Sequence, residues 1–226
     1  MVQRSQTHYY EDGNVILCAG DVRFRVHASI LRLSSRFFER LFAGNWRETN
    51  VQSTSGETTH NNNNNAKTKS RDDNDGVIGG PRIIARVNLV NKDASHVEAL
   101  LSTLYLHTDT KINWGNVQPI LQLADEYIFP RILARCDAFL SRELKKKPLE
   151  ALILADRYHL ADVYKSSMAL VIADHASLSH RPEYYQLSPG RRSELLKAVK
   201  NREQFRVKHA RSVKQTTKWS QPHWVY

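Results

Sequence analysis

The sequence predicts an α+β fold in which a small, mostly antiparallel sheet is flanked by helical hairpins and followed by a short all-helical extension. Within residues 14–42 the hydrophobic period changes from alternating to helical. One further strand pattern follows at residues 82–90, after a long polar stretch. Helical spacing then dominates residues 95–199, so few strands and many helices are expected.

Residues 14–26 have the pattern of a β-hairpin. Residues 14–18 are a short apolar run, and Val22, Phe24 and Val26 then alternate with two arginines. A tight turn at residues 19–21 joins the two segments. The second strand is therefore expected to have one buried face and one face in water.

Two short helices are expected directly after this hairpin. Beyond His27 the apolar residues recur at helical spacing, at Ile30, Leu31, Phe37, Phe38, Leu41 and Phe42. Ser34 and Ser35 can cap the second helix, and Glu39 lies near its positive end. This order of elements contains no catalytic arrangement and is typical of an interaction module.

Two polar segments predict no packed structure. Residues 1–12 are expected to be a flexible N-terminus. Residues 46–81 are rich in Ser, Thr, Asn, Gly and charge and include five consecutive asparagines at 61–65. Because such a segment buries too little apolar surface to offset its ordering entropy, a disordered insert in a loop is expected.

The next helix is predicted to begin at a capping box. Ser95 and Glu98 have the spacing at which each side chain bonds the other's backbone amide. The helix then places Val97, Leu100, Leu101, Leu104 and Tyr105 on one apolar face.

Two later segments resemble each other. One begins at Leu123 and the other at Leu154, 31 residues further on, and each predicts a helix end, a corner after a tyrosine and a second helix. Pro130 and Pro148 fit the first turns of helices. Stacked helix pairs are expected, with a final helix from Pro189 to about Val199.

The net charge of +10 is concentrated at the C-terminal end. From Arg191 onward ten Lys or Arg face only two Glu, which leaves the first 190 residues with +2. Residues 201–226 are expected to be a basic disordered tail. The alternative is a short motif for an acidic partner or nucleic acid, because aromatic residues are interspersed among the cations.

Several classes of protein are disfavoured. No apolar run is long enough for a membrane span, and the N-terminus lacks a signal-peptide core. Cys18 and Cys136 lie among apolar residues and predict buried, reduced thiols in an intracellular protein, cytoplasmic or nuclear. The histidines form no metal-ligand spacing with either cysteine. No cofactor, metal or catalytic site is predicted, and the protein is not expected to be an enzyme.

The opening of the chain resembles the BTB/POZ family. The resemblance rests on a strand, a Gly-Asp turn, F-x-V-H at residues 24–27, and I-L-x-x-x-S-x-x-F-x-x-L-F at residues 30–42. It implies a BTB/POZ domain at residues 13–145 with a helical extension at 146–200, most similar to nematode-type BTB proteins. The family places a structural histidine at the position of His27.

The resemblance also implies partners. BTB domains self-associate, and many link a target protein to a cullin-3 ubiquitin ligase. Family dimer contacts map onto Ile30 and Leu31, for which ordinary core packing is the equal alternative. Family cullin contacts map onto Phe42, Tyr105, His107 and Asp109, although Tyr105 also fits the apolar face of its helix.

Two features depart from the transcription-factor type of BTB domain. Asn14 and Ala28 stand where that type has an acidic and a basic residue. Only 13 residues precede the first predicted strand, too few for an additional N-terminal strand and helix. The missing charge pair weakens the case for corepressor recruitment, and the resemblance then implies a substrate adaptor or scaffold for a ubiquitin ligase, with an unknown target. The alternatives are a nuclear protein that binds nucleic acid or chromatin partners through its tail, or a pure oligomerisation module.

Overall fold

The structure, a computed structural model, describes residues 2–44, 81–108 and 110–218, with side chains as far as Ala210. The predicted insert at 46–81 therefore lies outside the described residues, apart from Pro81. The chain divides into two compact units, Met1–Cys136 and Asp137–Tyr226. The division falls inside a helix, nine residues before the predicted domain boundary.

Unit 1 is a four-stranded sheet with helices. Its strands are β1 (Gln3–Tyr9), β2 (Val15–Ala19), β3 (Val22–Val26) and β4 (Ala85–Asn88). Its helices are α1 (Ala28–Ser34), α2 (Arg36–Ala43), α3 (Ala94–Leu104), α4 (Val117–Glu126) and the first part of α5 (Pro130–Glu143), with a 3₁₀ turn at Leu106–Thr108. The predicted α+β class is confirmed.

The sheet has the strand order β1-β3-β2-β4. The predicted hairpin is present, because β2 and β3 pair antiparallel from Val15 opposite Val26 to Ala19 opposite Val22. Gly20 occupies the turn with a φ of 55°, a conformation that glycine adopts without strain. β4 pairs parallel to β2, and β1 pairs parallel to β3, so two of the three pairings among the described strands are parallel and the prediction of a mostly antiparallel sheet is wrong.

Strand β1 contradicts the prediction of a flexible N-terminus and of too few residues for an additional strand. The residues of β1 that turn inward are Ser5 and His8, and both are buried. Because these residues are polar, the strand has no hydrophobic alternation for a sequence pattern to detect. Its inward groups are stabilised by hydrogen bonds.

The core of unit 1 lies between the sheet and the helices. β2 is buried along nearly its whole length, as its continuous apolar sequence suggests. Leu31 of α1 and Phe38 of α2 meet Leu101 of α3 and Phe129, the residue before α5, around a void of about 10 Å³. Such close packing positions the surface elements rigidly.

The structure confirms the predicted N-cap of α2 and differs from the predicted N-cap of α3. Ser35 caps α2, and its hydroxyl oxygen accepts from the Phe38 amide at 3.1 Å. The capping box at Ser95 is wrong, because α3 begins at Ala94, two residues earlier than a Ser95 cap would place it. Asp93 is the N-cap of α3, and its carboxylate accepts a hydrogen bond from the Ser95 amide at 2.7 Å. Asp93 therefore holds the capping position that the sequence analysis assigned to Ser95.

Unit 2 is helical throughout its described part. It contains the end of α5, then α6 (Pro148–Arg157), α7 (Ala161–Ala173), the short α8 (His175–Leu178), a 3₁₀ segment at Pro182–Gln186 and α9 (Pro189–Lys218). Leu149, Leu152, Val171 and Leu195 are at most 1 % exposed and form its core with neighbouring apolar residues. Unit 2 therefore has a hydrophobic core of its own.

Helix α9 is longer than the sequence predicts. It starts at Pro189 as expected, but it continues past Val199 to Lys218, through residues predicted to be a disordered tail. Residues 191–218 contain neither Gly nor Pro and are rich in strong helix formers. Helical propensity therefore continues after the apolar period has stopped. No helix in the described part of the chain, α9 included, is long and apolar enough to cross a bilayer.

Candidate protein-interaction surfaces

An open groove of about 670 Å³ lies on unit 1 between α2, β4 and the corner that joins α4 to α5. Phe37 and Leu41, one turn apart on α2, form one wall. Residues 86–90 form the second wall, and Tyr127 and Ile128 of the corner complete the lining. We call this feature the α2–β4 groove.

The corner holds Ile128 in the left-handed region, with a φ of 52°. This conformation is unusual for a β-branched residue and costs about 1–3 kcal/mol. Hydrogen bonds fix it from two sides. The Phe129 amide donates to the Ala124 carbonyl at 2.8 Å, while at the start of α2 the Arg36 amide donates to the Ile128 carbonyl at 3.1 Å. The Ser35 hydroxyl donates to the Tyr127 carbonyl at 2.5 Å.

Unit 2 contains a second corner with the same backbone geometry. His159 has a φ of 57°, and the Leu160 amide donates to the Ala155 carbonyl at 3.0 Å, as Phe129 does to Ala124. In both segments a left-handed residue after the tyrosine closes the helix end and satisfies a terminal carbonyl. The similar sequences therefore end their helices in the same way.

Tyr105 is a structural anchor. It is buried, and its hydroxyl accepts from the His27 amide at 3.1 Å and bonds His27 Nδ1 at 3.0 Å. Burial raises the pKa of Tyr105 to about 12. His27 Nε2 lies 3.1 Å from Asp12 Oδ1, and this hydrogen bond lowers the pKa of Asp12. His27 thus joins the end of β3 to the end of α3 through the Tyr105 hydroxyl.

A chain of hydrogen bonds ties β1 to α3 and to the 3₁₀ turn. His8 Nε2 lies 2.8 Å from Ser102 Oγ, and His8 Nδ1 lies 2.9 Å from the Tyr10 hydroxyl. That hydroxyl is 3.1 Å from His107 Nε2, and the Tyr10 ring stacks on Tyr105 with centroids 4.6 Å apart. Sequence reasoning missed His8 and Tyr10, because their partners are about a hundred residues away in the chain.

The 3₁₀ turn carries the most exposed large apolar side chain in the described part of the molecule. Leu106 is 99 % exposed, and His107 beside it is also exposed. Tyr105, the residue before this turn, is buried and hydrogen-bonded to His27, and so fixes the position of the turn. Tyr105 and His107 are in contact, with ring centroids 5.8 Å apart, so the structure brings two of the four predicted cullin residues together.

The other two predicted cullin residues are placed differently. Phe42 is partly buried at the end of α2, and its ring stacks on Phe38 with centroids 5.8 Å apart. Asp109 lies outside the described residues. The predicted set therefore includes one buried anchor, one helix-packing residue and one exposed residue.

The two predicted dimer residues also differ. Leu31 is fully buried in the core, as the packing alternative expected, whereas Ile30 is partly exposed. Leu33 is 87 % exposed and lies three residues after Ile30, hence on the same side of α1. Leu31 therefore lies on a different side of α1 from Ile30 and Leu33.

The far half of α9 is a basic surface. Residues 201–210 are all exposed and include Arg202, Arg206 and Lys208, with Phe205 and Val207 beside them. Nearer the core, Arg191 binds Asp156 at 2.9 Å and Glu194 at 2.9 Å. Arg191 thus helps to hold unit 2, and so does Arg202, which donates to the Ile172 carbonyl at 3.1 Å, whereas Arg206 and Lys208 are exposed on the helix surface.

Metal and thiol chemistry has little support in the described residues. They contain no group of three or more His, Cys, Asp or Glu side chains that could hold a metal ion. Neither cysteine forms a disulfide in the described part of the chain, and Cys136 is buried as predicted, whereas Cys18 is only partly buried. Burial raises the pKa of the Cys136 thiol to about 12.

Residues 77–144 match the family model of the BTB/POZ domain. The match runs through β4, α3, α4 and α5, and so through two of the three walls of the α2–β4 groove. No curated protein matches the chain.

Proposed function

We propose, from the BTB/POZ domain that this chain contains, that the protein is a self-associating adaptor for a cullin-3 ubiquitin ligase. A BTB/POZ domain is a protein-interaction and oligomerisation module. The ligase role is the more specific part of the proposal. It takes Phe42, Tyr105, His107 and Asp109 as the region of the cullin contact.

The exposed 3₁₀ turn is the observation that carries the ligase role. Leu106 and His107 project from a turn whose base is fixed by the buried Tyr105 and its hydrogen bonds to His27. A fully exposed leucine on a rigid base loses little conformational freedom when a partner covers it. Interface energy is concentrated in a few such anchors.

The test is binding of the full chain to the N-terminal region of a cullin-3 protein, measured by co-elution and calorimetry. Leu106→Asp and His107→Ala should each weaken binding at least about tenfold, which is about 1.4 kcal/mol. Tyr105→Ala is unsuitable because it removes a buried anchor. Tyr185→Asp, at an exposed apolar residue of unit 2, is the control and should bind like the wild type. No co-elution at tens of micromolar removes the ligase role.

Self-association is assigned to the exposed side of α1. Ile30 and Leu33 form its apolar pair, so Leu33→Asp should shift a dimer to monomer in sedimentation velocity. A pure oligomerisation module would show this shift and no cullin binding. An unchanged sedimentation coefficient in the Leu33→Asp protein places the self-contact elsewhere.

Helix α9 supports a second candidate function, binding of nucleic acid by the basic end of the chain. The supporting observation is that residues 201–210 present their cations and Phe205 to solvent. Binding to single-stranded DNA should fall steeply with salt and vanish on truncation after Val199. Equal binding by the truncated chain rules this candidate out.

A further inference from the structure

The exposed 3₁₀ turn is attached to the domain on two sides. On one side the Thr108 hydroxyl donates to the Ser102 carbonyl of α3 at 2.7 Å. On the other side the hydroxyl of Tyr10, the residue after β1, lies 3.1 Å from His107 Nε2. Leu106 is the residue before His107, so the N-terminal segment of the chain helps to decide where the Leu106 side chain is presented.

The Tyr10 hydroxyl also binds His8. His8 Nδ1 lies 2.9 Å from this hydroxyl, and His8 Nε2 lies 2.8 Å from Ser102 Oγ. Because His8 is fully buried, these bonds replace the water that its ring nitrogens would otherwise bind. The Tyr10 ring stacks on Tyr105, which fixes the position of the hydroxyl. A continuous chain of hydrogen bonds therefore runs from α3 through His8 and Tyr10 to His107 on the turn.

One hydroxyl between two imidazoles limits how many protons they can hold. A tyrosine hydroxyl has a single hydrogen, and an imidazole nitrogen accepts a hydrogen bond only when it carries no hydrogen. If His8 Nδ1 accepts from Tyr10, then His107 Nε2 must donate to it, and the reverse arrangement is equally complete. One protonated histidine fits one of these arrangements. Two protonated histidines fit neither, because both nitrogens then donate and two cations face one oxygen.

The surroundings of His8 make its proton the second to be added. Burial lowers the pKa of His8, which the Glu98 carboxylate of α3 opposes and His107 reinforces. His8 therefore stays neutral while an exposed imidazole such as that of His107 takes up a proton first. The two sites titrate as a pair, and the bond to the turn is lost at the second step.

Two further charged side chains near this end of α3 have partners of their own. Asp12 Oδ1 lies 3.1 Å from His27 Nε2, and Arg135 of α5 donates to the Thr103 carbonyl at 2.9 Å. Burial and the charge of Asp12 raise the pKa of Tyr10, so its hydroxyl keeps its hydrogen. Neither Asp12 nor Arg135 therefore supplies the acceptor that a second proton would require.

We propose that His8 and Tyr10 are positioning residues for the exposed 3₁₀ turn, and that protonation of His8 releases the turn from the N-terminal segment. They act on the partner contact through His107. With His8 neutral, the bonds hold Leu106 in one place for a partner to cover. With both imidazoles charged, Leu106 gains freedom that binding must then remove. The partner contact rests on the proposed cullin-3 role, whereas the release of the turn does not.

The first measurement follows the full chain without any partner. Methyl relaxation of ¹³C-labelled leucine gives the order of the Leu106 side chain between pH 7.5 and 5.0, and the His8 ring resonances report its protonation. Leu106 should stay ordered until the His8 resonances shift and should then become mobile. The Tyr10→Phe protein keeps the ring and removes the hydroxyl, so its Leu106 should be mobile already at pH 7.5.

Two variants control this measurement. Tyr184→Phe removes a hydroxyl that lies 3.3 Å from His175 Nε2 in unit 2, so it repeats the chemical change away from the turn. Leu106 should respond to pH in this protein as in the wild type. His8→Gln keeps hydrogen-bonding groups and does not titrate, so Leu106 should stay ordered at pH 5.0.

The second measurement is calorimetry of the full chain with the N-terminal region of a cullin-3 protein. At pH 7.5 Tyr10→Phe should bind at least about threefold more weakly than the wild type. The wild type should lose at least as much affinity when His8 becomes protonated. Tyr184→Phe should match the wild type at both pH values, and His8→Gln should lose less affinity than either.

The outcomes separate this inference from the ligase role. Leu106 that is as ordered in Tyr10→Phe as in the wild type at pH 7.5 overturns the inference, whether or not a cullin binds. Leu106 that stays ordered in the wild type after His8 is protonated also overturns it. Equal cullin affinity of Tyr10→Phe and the wild type overturns the positioning role. The expected changes at Leu106 without any cullin binding support the release of the turn and refute the ligase role alone.

Discussion

His8 is a polar residue in a position that apolar residues usually occupy. It is fully buried in β1, and both of its ring nitrogens have hydroxyl partners, Tyr10 and Ser102. Desolvation by burial is the main cause that lowers its pKa from 6.5, and His107 lowers it further, while Glu98 opposes both. The folded protein therefore favours neutral His8.

This makes stability depend on pH in a defined direction. Below pH 6.5 the unfolded chain takes up a proton at His8 that the folded chain refuses, so the free energy of unfolding should fall as the pH drops towards the folded pKa. The slope from this one group is at most about 1.4 kcal/mol per pH unit. Urea unfolding at pH 7.5 and 5.5 measures it.

The His8→Gln protein is the comparison for this measurement, because glutamine keeps hydrogen-bonding groups and does not titrate. It should lose less stability between the two pH values than the wild type does. The same loss in both proteins would show that His8 does not control the acid sensitivity.

Helix α1 shows what a sequence pattern can and cannot predict about the burial of individual residues. The pattern identified Ile30 and Leu31 as apolar positions of α1, but it did not separate Leu31, which is buried, from Ile30, which is partly exposed, and it did not include Leu33, which is 87 % exposed. Apolar character alone does not fix which side of a short helix faces the core. The neighbouring elements decide this, and their contacts are distant in sequence.

Helix α9 shows the same limit at the scale of an element. Its sequence lacks an apolar period after Val199, and the absence of that period suggested a disordered tail. The helix is instead 30 residues long, about 45 Å at 1.5 Å per residue. A helix that is exposed on all sides relies on its own backbone bonds and propensity.

The exposed half of α9 should therefore open more readily than helices within the core. Amides of residues 201–210 are expected to exchange with deuterium much faster than those of α6, whose inner residues are buried. Hydrogen exchange followed by mass spectrometry measures both in one sample. Equal protection would mean that another surface covers α9 in solution, as in an oligomer.

The charge of the whole molecule is strongly asymmetric. Residues 200–226 contain seven Lys or Arg and one Glu, and so carry +6 of the total +10. The remaining chain is closer to neutrality. A single value for the isoelectric point hides this distribution, which governs nonspecific association with polyanions.

Removal of residues 200–226 should lower the salt concentration at which the protein elutes from a cation-exchange column. The reason is that a surface with clustered cations binds the resin through several charges at once. A full-length control with each arginine of the segment changed to lysine should elute near the wild type. Elution of the truncated chain at the wild-type salt concentration would place the dominant basic surface elsewhere.

Local periodicity and capping were enough to predict the α+β class, the β2–β3 hairpin and the cap at Ser35, and the matching residues of the opening carried the BTB/POZ resemblance. Tertiary structure alone decided that residues 3–9 form a strand, because that strand buries polar groups whose partners lie in α3. It also decided the location of the α2–β4 groove. Three segments far apart in the chain build its walls, and the strained conformation of Ile128 is held by hydrogen bonds from α2 that no local pattern contains.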